Sequence, residues 1–69
     1  MIIYTKDACG YCVKAKALAK QRGIEYREMK LGVDVTREEI VSLFPNARTF
    51  PIIVIDGEVV GGYAEFAAL

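Results

Sequence analysis

The feature that most constrains this chain is Cys9-Gly10-Tyr11-Cys12, two cysteines set two residues apart where a strand pattern gives way to a helix pattern. Upstream, Met1-Ile2-Ile3-Tyr4-Thr5 is apolar, branched and aromatic, the composition of a buried strand. Downstream, Val13-Lys14-Ala15-Lys16-Ala17-Leu18-Ala19-Lys20-Gln21-Arg22 consists mostly of strong helix formers. Gly23 follows as a left-handed cap. Cys9 therefore falls at the N-cap and Cys12 one turn into the helix.

That placement has chemical content. The first amides of a helix lack intrahelical acceptors, and the helix dipole puts partial positive charge there. A Cys9 thiolate is placed to accept hydrogen bonds from the amides of Tyr11 and Cys12, and thiols so placed titrate at about 3.5–7.5 instead of about 8.5. Cys12, inside the first turn, is expected to be less exposed and less acidic, so that one sulfur attacks and the other resolves. A purely structural role is a poor alternative. Closing a four-residue loop constrains the unfolded chain by about 1.9 kcal/mol, against about 3 kcal/mol for a fifteen-residue loop. Zinc fits a single chain poorly, since tetrahedral zinc wants four ligands and the chain offers two Cys and no His.

Sixty-nine residues suit one domain spanning 1–69. A hydrophobic content of 54% argues against disorder. Nine basic and nine acidic residues leave a formal charge of zero, which advertises neither nucleic acid nor an anionic membrane. No apolar run approaches the roughly 18 residues of a membrane span. Lys6 and Asp7 come too early for a signal peptide's apolar core. A reactive cysteine pair without a disulfide framework fits a reducing cytosol, so a cytoplasmic location is expected.

Taken in order, Ile24-Glu25-Tyr26-Arg27-Glu28-Met29-Lys30-Leu31 reads as a second strand whose apolar positions change phase once, which predicts an edge strand or a bulge. Strand, helix and strand within about thirty residues make a right-handed βαβ unit with parallel pairing. After the connection Gly32-Val33-Asp34-Val35, Thr36-Arg37-Glu38-Glu39 matches a capping box, with Val35 and Ile40 spaced as a hydrophobic staple. Pro45 ends that helix. Ile52-Ile53-Val54-Ile55 is a continuous apolar run, hence a strand covered on both faces. Asp56-Gly57 predicts a type I′ hairpin turn, with Glu58-Val59-Val60 returning antiparallel. Gly61-Gly62 precedes a last helix over Tyr63–Leu69.

In this order the chain resembles a glutaredoxin. The resemblance runs from Met1 to Leu69 and rests on three segments. They are Tyr4-Thr5-Lys6 leading into Cys9-Gly10-Tyr11-Cys12, then Ala47-Arg48-Thr49-Phe50-Pro51, and then Ile55-Asp56-Gly57 with Gly61-Gly62 before the last helix. A thioredoxin fits less well, because the chain has no Trp and Ala8 stands where that family usually carries one.

The resemblance implies an α/β fold of βαβ-α-ββα order, a four-stranded mixed sheet flanked by three helices. It implies a dithiol, glutathione-dependent thiol–disulfide oxidoreductase with Cys9 as nucleophile and Cys12 as resolving thiol. Pro51 matches the family's cis-proline, leaving the backbone of Phe50 free to pair with a peptide-like ligand. Lys6 and Arg48 match positions near the glycyl carboxylate of glutathione, and Tyr11, Thr49 and Phe50 match the groove. The Gly62-Tyr63-Ala64-Glu65 turn would hold the γ-glutamyl end. No permanently bound cofactor or metal is implied. Glutathione is the co-substrate, disulfide-containing or glutathionylated proteins are the partners, and the protein is a monomer.

Several positions depart from the family pattern. Gly10 stands where many members have proline, Phe50 where valine is usual, Tyr63 and Ala64 where Cys or Ser and a polar residue are common, and Glu65 for the usual Asp. Two other readings remain: a redoxin reduced by a flavoprotein thioredoxin reductase, and a dimer holding an iron–sulfur cluster through Cys9 and two glutathiones.

Overall fold

The structure is a computed structural model describing residues 1–69. Its elements are β1 (Ile2–Thr5), α1 (Gly10–Gln21), β2 (Arg27–Lys30), α2 (Arg37–Leu43), β3 (Ile52–Ile55), β4 (Glu58–Gly61) and α3 (Tyr63–Ala67). The strands form one sheet in the order β2-β1-β3-β4. β1 and β2 run parallel, as the βαβ pattern predicts, and the other pairs are antiparallel.

Alternation along the central strands builds a core on each face of the sheet. In the β1–β3 register Ile3 lies opposite Ile53 and Tyr4 opposite Ile52. Ile3 and Ile53 join Ala15 and Ala19 of α1 and Phe66 of α3 in one buried cluster. Tyr4, Ile52 and Val54 face the other way and join Val35 and Ile40. The uninterrupted apolar run of β3 therefore supplies both faces. Small alanines on α1 let the helix lie close to the sheet, while α2 covers the opposite side through Ile40.

The phase change expected in β2 has a physical cause here. Ile24 and Tyr26 pack against the cluster beneath α1 and α3, whereas Met29 and Leu31 pack against the cluster beneath α2. The strand is consequently shorter than the apolar pattern suggests, and it takes the expected edge position. The bulge falls elsewhere, as a register shift between β3 and β4 at Ile53/Val54.

Local signals behave as their chemistry dictates. Gly23 has a φ of 69° beyond α1, and Asp56 and Gly57 have φ values of 51° and 79° in the type I′ hairpin. The Thr36 hydroxyl accepts from the Glu39 N–H at 3.1 Å while the Glu39 carboxylate accepts from the Thr36 N–H at 2.9 Å, closing the capping box. The last helix ends earlier than the pattern predicts. Its final carbonyls are held by Arg22, which donates to the Phe66 oxygen at 3.3 Å and the Ala67 oxygen at 3.0 Å.

Candidate functional site: a cysteine pair between two cavities

Cys9 caps α1 from an extended conformation (φ −117°, ψ 100°). Its Sγ accepts a hydrogen bond from the Cys12 N–H at 3.2 Å. Of the two amides expected to reach that sulfur, Cys12 supplies a bond and Tyr11 does not. The two cysteines are joined in a disulfide with a Cα–Cα separation of 5.2 Å. Cys12 is 2% exposed and Cys9 is half-buried, which places Cys9 toward solvent. The turn that delivers Cys9 passes through Ala8 at a φ of 54°, a left-handed conformation that costs a non-glycine residue about 1–2 kcal/mol.

The Phe50–Pro51 peptide bond is cis. Pro51 is buried, and the Phe50 N–H and C=O make no hydrogen bond within the chain. Lys6 Nζ lies 5.8 Å from the centroid of the Phe50 ring.

Two cavities meet at Lys6. One, of about 210 Å³, is lined by Lys6, Arg37, Arg48, Thr49 and Phe50 over an apolar floor that includes Leu31, Ile40 and Ile52. It adjoins a groove of about 380 Å³ in which Arg48, Thr49 and Pro51 face Gly61 and Gly62. The other, of about 400 Å³, is lined by both cysteines with Thr5, Lys6, Asp7, Lys16, Glu28 and Lys30.

The remaining residues singled out in the sequence sit apart from these cavities. Tyr11 is 59% exposed, its ring 5.8 Å from that of Tyr63, with Lys14 Nζ 5.2 Å from the Tyr11 ring centroid. Ala64 is exposed on the short α3. Glu65 Oε1 accepts the Gly62 N–H at 2.7 Å, so one of its oxygens serves the helix start. A Cβ at Gly61 would lie 2.7 Å from Glu65 Cγ, and Gly61 has a φ of 131°, so that position requires glycine.

Arg37 is the residue sequence reasoning missed. The capping box Thr36-Arg37-Glu38-Glu39 accounted for its segment and assigned Arg37 no role of its own. A signal existed: Arg37 opens α2, where the helix dipole disfavours a cation. Lys6, Arg37 and Arg48 come from three separate segments, and none has a carboxylate partner, the ion pairs being Lys16–Glu28 and Lys30–Asp7. Those pairs sit in the cysteine cavity. The Thr5 hydroxyl bond, followed by the Lys16 ammonium, holds Glu28 below the ordinary carboxylate value, against the opposing effect of burial. The hydrogen bond to Asp7 raises Lys30 above the ordinary amine value.

Residues 1–60 match the family model described as Glutaredoxin. The chain belongs to the glutaredoxin family. Glutaredoxin 3 of Escherichia coli strain K12 is 34% identical over 67 residues, which span 97% of this chain and 81% of that protein. The crystal structure of glutaredoxin 1 from Francisella tularensis superposes with a TM-score of 0.82 at 30% identity, covering 97% of this chain and 86% of the other. The solution structure of a glutaredoxin from Brucella melitensis gives 0.78 at 36% identity, covering 97% and 73%. With the cysteine pair at the start of α1, this glutaredoxin is a thiol–disulfide oxidoreductase. No helix in it is long and apolar enough to cross a membrane.

Proposed function

We propose that this glutaredoxin is reduced by glutathione and reduces protein disulfides and glutathione mixed disulfides, with Cys9 attacking and Cys12 resolving. The observation that carries the reading is the set of unpaired cations, Lys6, Arg37 and Arg48, around one cavity beside the disulfide loop. Glutathione carries two carboxylates and one ammonium. A cationic cavity suits its glycyl carboxylate, because charge-assisted hydrogen bonds to a carboxylate are the stronger kind. The unbonded backbone of Phe50, next to Pro51, suits its peptide portion. Gly62, Tyr63, Ala64 and the free oxygen of Glu65 are left for the γ-glutamyl end, with the neighbouring Tyr11 and Tyr63 rings, tilted 31° to one another, flanking it.

The chemistry follows from the asymmetry of the two sulfurs. In the reduced protein the Cys9 thiolate, supported by the Cys12 N–H, attacks a substrate disulfide; a Cys9–S–S–R bond forms and one substrate thiolate leaves. Cys12 then attacks Cys9 Sγ, closing the Cys9–Cys12 disulfide and releasing the second thiol. Two glutathione molecules restore the dithiol, becoming glutathione disulfide. The protein acts as a monomer in a reducing compartment, without a permanently bound cofactor.

The deciding experiment offers the oxidised protein glutathione in one vessel and thioredoxin reductase with its nicotinamide reductant in another. Reduction by glutathione is expected. Reduction by the reductase alone would overturn the assignment of the donor.

A further inference from the structure

The exchange chemistry leaves one cluster beside the cysteines without a part. Thr5 is polar yet only 1% exposed. Its hydroxyl donates to Glu28 Oε2 at 2.7 Å, and Lys16 Nζ reaches the same oxygen at 3.1 Å. Lys16 follows Cys12 by one helical turn, beside the face of α1 that carries buried Ala15 and Ala19. Cys12, Lys16 and Glu28 line one cavity. The charged groups around it are Lys6 and Asp7 before α1, Lys16 on α1, and Glu28 and Lys30 on β2. Lys30 is bound to Asp7 at 2.8 Å and Lys16 to Glu28, so two of its three cations are neutralised in place.

The resolving step needs the anion of Cys12. An electron pair on Cys12 Sγ forms the new bond to Cys9 Sγ, the Cys9–S–S–R bond breaks, and its pair leaves on the R sulfur, which takes up the proton that Cys12 gave to solvent. A nearby cation favours that anion and a nearby carboxylate opposes it. Lys16 unpaired would favour the Cys12 anion, and Glu28, bound to it at 3.1 Å, offsets that charge.

We propose that Glu28, fixed by Thr5 and paired with Lys16, lowers the thiolate fraction of Cys12 in the reduced protein and so sets the pace of the resolving step. Glu28 and Lys16 are positioning residues for the resolving sulfur and have no part in the attack by Cys9. The proposal deepens the assignment of roles to the two cysteines and rests on it, but its first readout does not.

That readout is the thiolate absorbance of Cys12 against pH in the Cys9→Ser background. Adding Glu28→Gln, which still accepts from Thr5, is expected to move the midpoint down, and adding Lys16→Gln instead is expected to move it up. In the protein with both cysteines, stopped-flow release of glutathione after mixing with glutathione disulfide should be about two- to fivefold faster in Glu28→Gln and slower by a similar factor in Lys16→Gln. In the Cys12→Ser background Glu28→Gln should leave exchange at Cys9 unchanged. Midpoints that move in the same direction in both variants, or that do not move, would overturn the proposal. So would slower release in Glu28→Gln, which would make the carboxylate a proton acceptor. Failure of Cys12→Ser to accumulate a Cys9–glutathione mixed disulfide would instead remove the assignment of roles, with the Cys12 midpoints still deciding the part played by Glu28.

Discussion

The two cavities that share Lys6 contain the same kinds of side chain and treat them differently. Around the cysteines, Lys16 and Lys30 each meet a carboxylate, at 3.1 and 2.8 Å. On the other side Lys6, Arg37 and Arg48 face an apolar floor with no carboxylate in reach. The chain as a whole has no net charge, so the difference is one of arrangement and not of composition. Cations left unpaired over apolar surface suit an anionic ligand from outside. Cations paired with carboxylates beside the sulfurs present little net charge to them.

The largest expected effects fall on the sulfurs, where the two regions meet. Cys9→Ser should abolish every exchange reaction. Cys12→Ser should keep reduction of glutathione mixed disulfides, which needs only the groove and one thiol, and should lose reduction of protein disulfides by the two-thiol route. Equal loss in both assays would show that the two sides of the site do not act separately.

Next come the unpaired cations. Replacing Lys6, Arg37 or Arg48 by Gln should weaken turnover with glutathione several-fold, since exposed charge pairs contribute about 0–1 kcal/mol each. The deficits should shrink as salt rises, because screening removes what the substitution has already removed. Steady-state kinetics at two salt concentrations check this, and a deficit that ignores salt would count against direct pairing with a carboxylate. Glu65→Gln sharpens the same point. General attraction of an anionic ligand makes that variant faster, whereas pairing with the γ-glutamyl ammonium makes it slower, as expected here.

Gly10, between the two regions, offers a change in stability without a change in charge. It is the first residue of α1, nothing lies within 4 Å of a Cβ there, and Cys9 before it is already extended, as a residue preceding proline prefers. Gly10→Pro should raise stability by roughly 0.4–1 kcal/mol, read as a higher melting temperature.

The smallest effect tests the paired side through pH. Glu28 is held below its ordinary value of 4.5, first by the Thr5 hydroxyl and then by Lys16. A carboxylate with a depressed folded pKa adds stability that is present above its unfolded value and disappears as pH falls through the folded one. Glu28→Gln should therefore be less stable than the parent near neutrality, with the gap closing on acidification below about 4.5. Melting temperatures across that range check the sign; a gap that widens in acid would mean that Glu28 is not stabilised as an anion.

What the sequence determined by itself is whatever is decided within a few residues along the chain. The cysteine spacing at a helix start, the capping box of Thr36 and Glu39, the left-handed Gly23 and the Asp56-Gly57 turn were legible because each depends on local backbone geometry. β3 was legible as a doubly covered strand because four apolar residues in a row leave no polar face. β2 was legible only as an anomaly, since its change of phase makes sense once Tyr26 and Met29 are seen to serve opposite faces of the sheet. Tertiary structure alone decided the charges. Thr5 and Glu28 lie 23 residues apart in sequence, Lys16 and Glu28 lie 12 apart, and parallel pairing of β1 with β2 brings them to one oxygen atom. Arg37 joins Lys6 and Arg48 only because α2 packs across the sheet face opposite α1. No local pattern records which charges will be neutralised, because neutralisation depends on how separate elements are brought together, and that order is set by closing loops over a shared core.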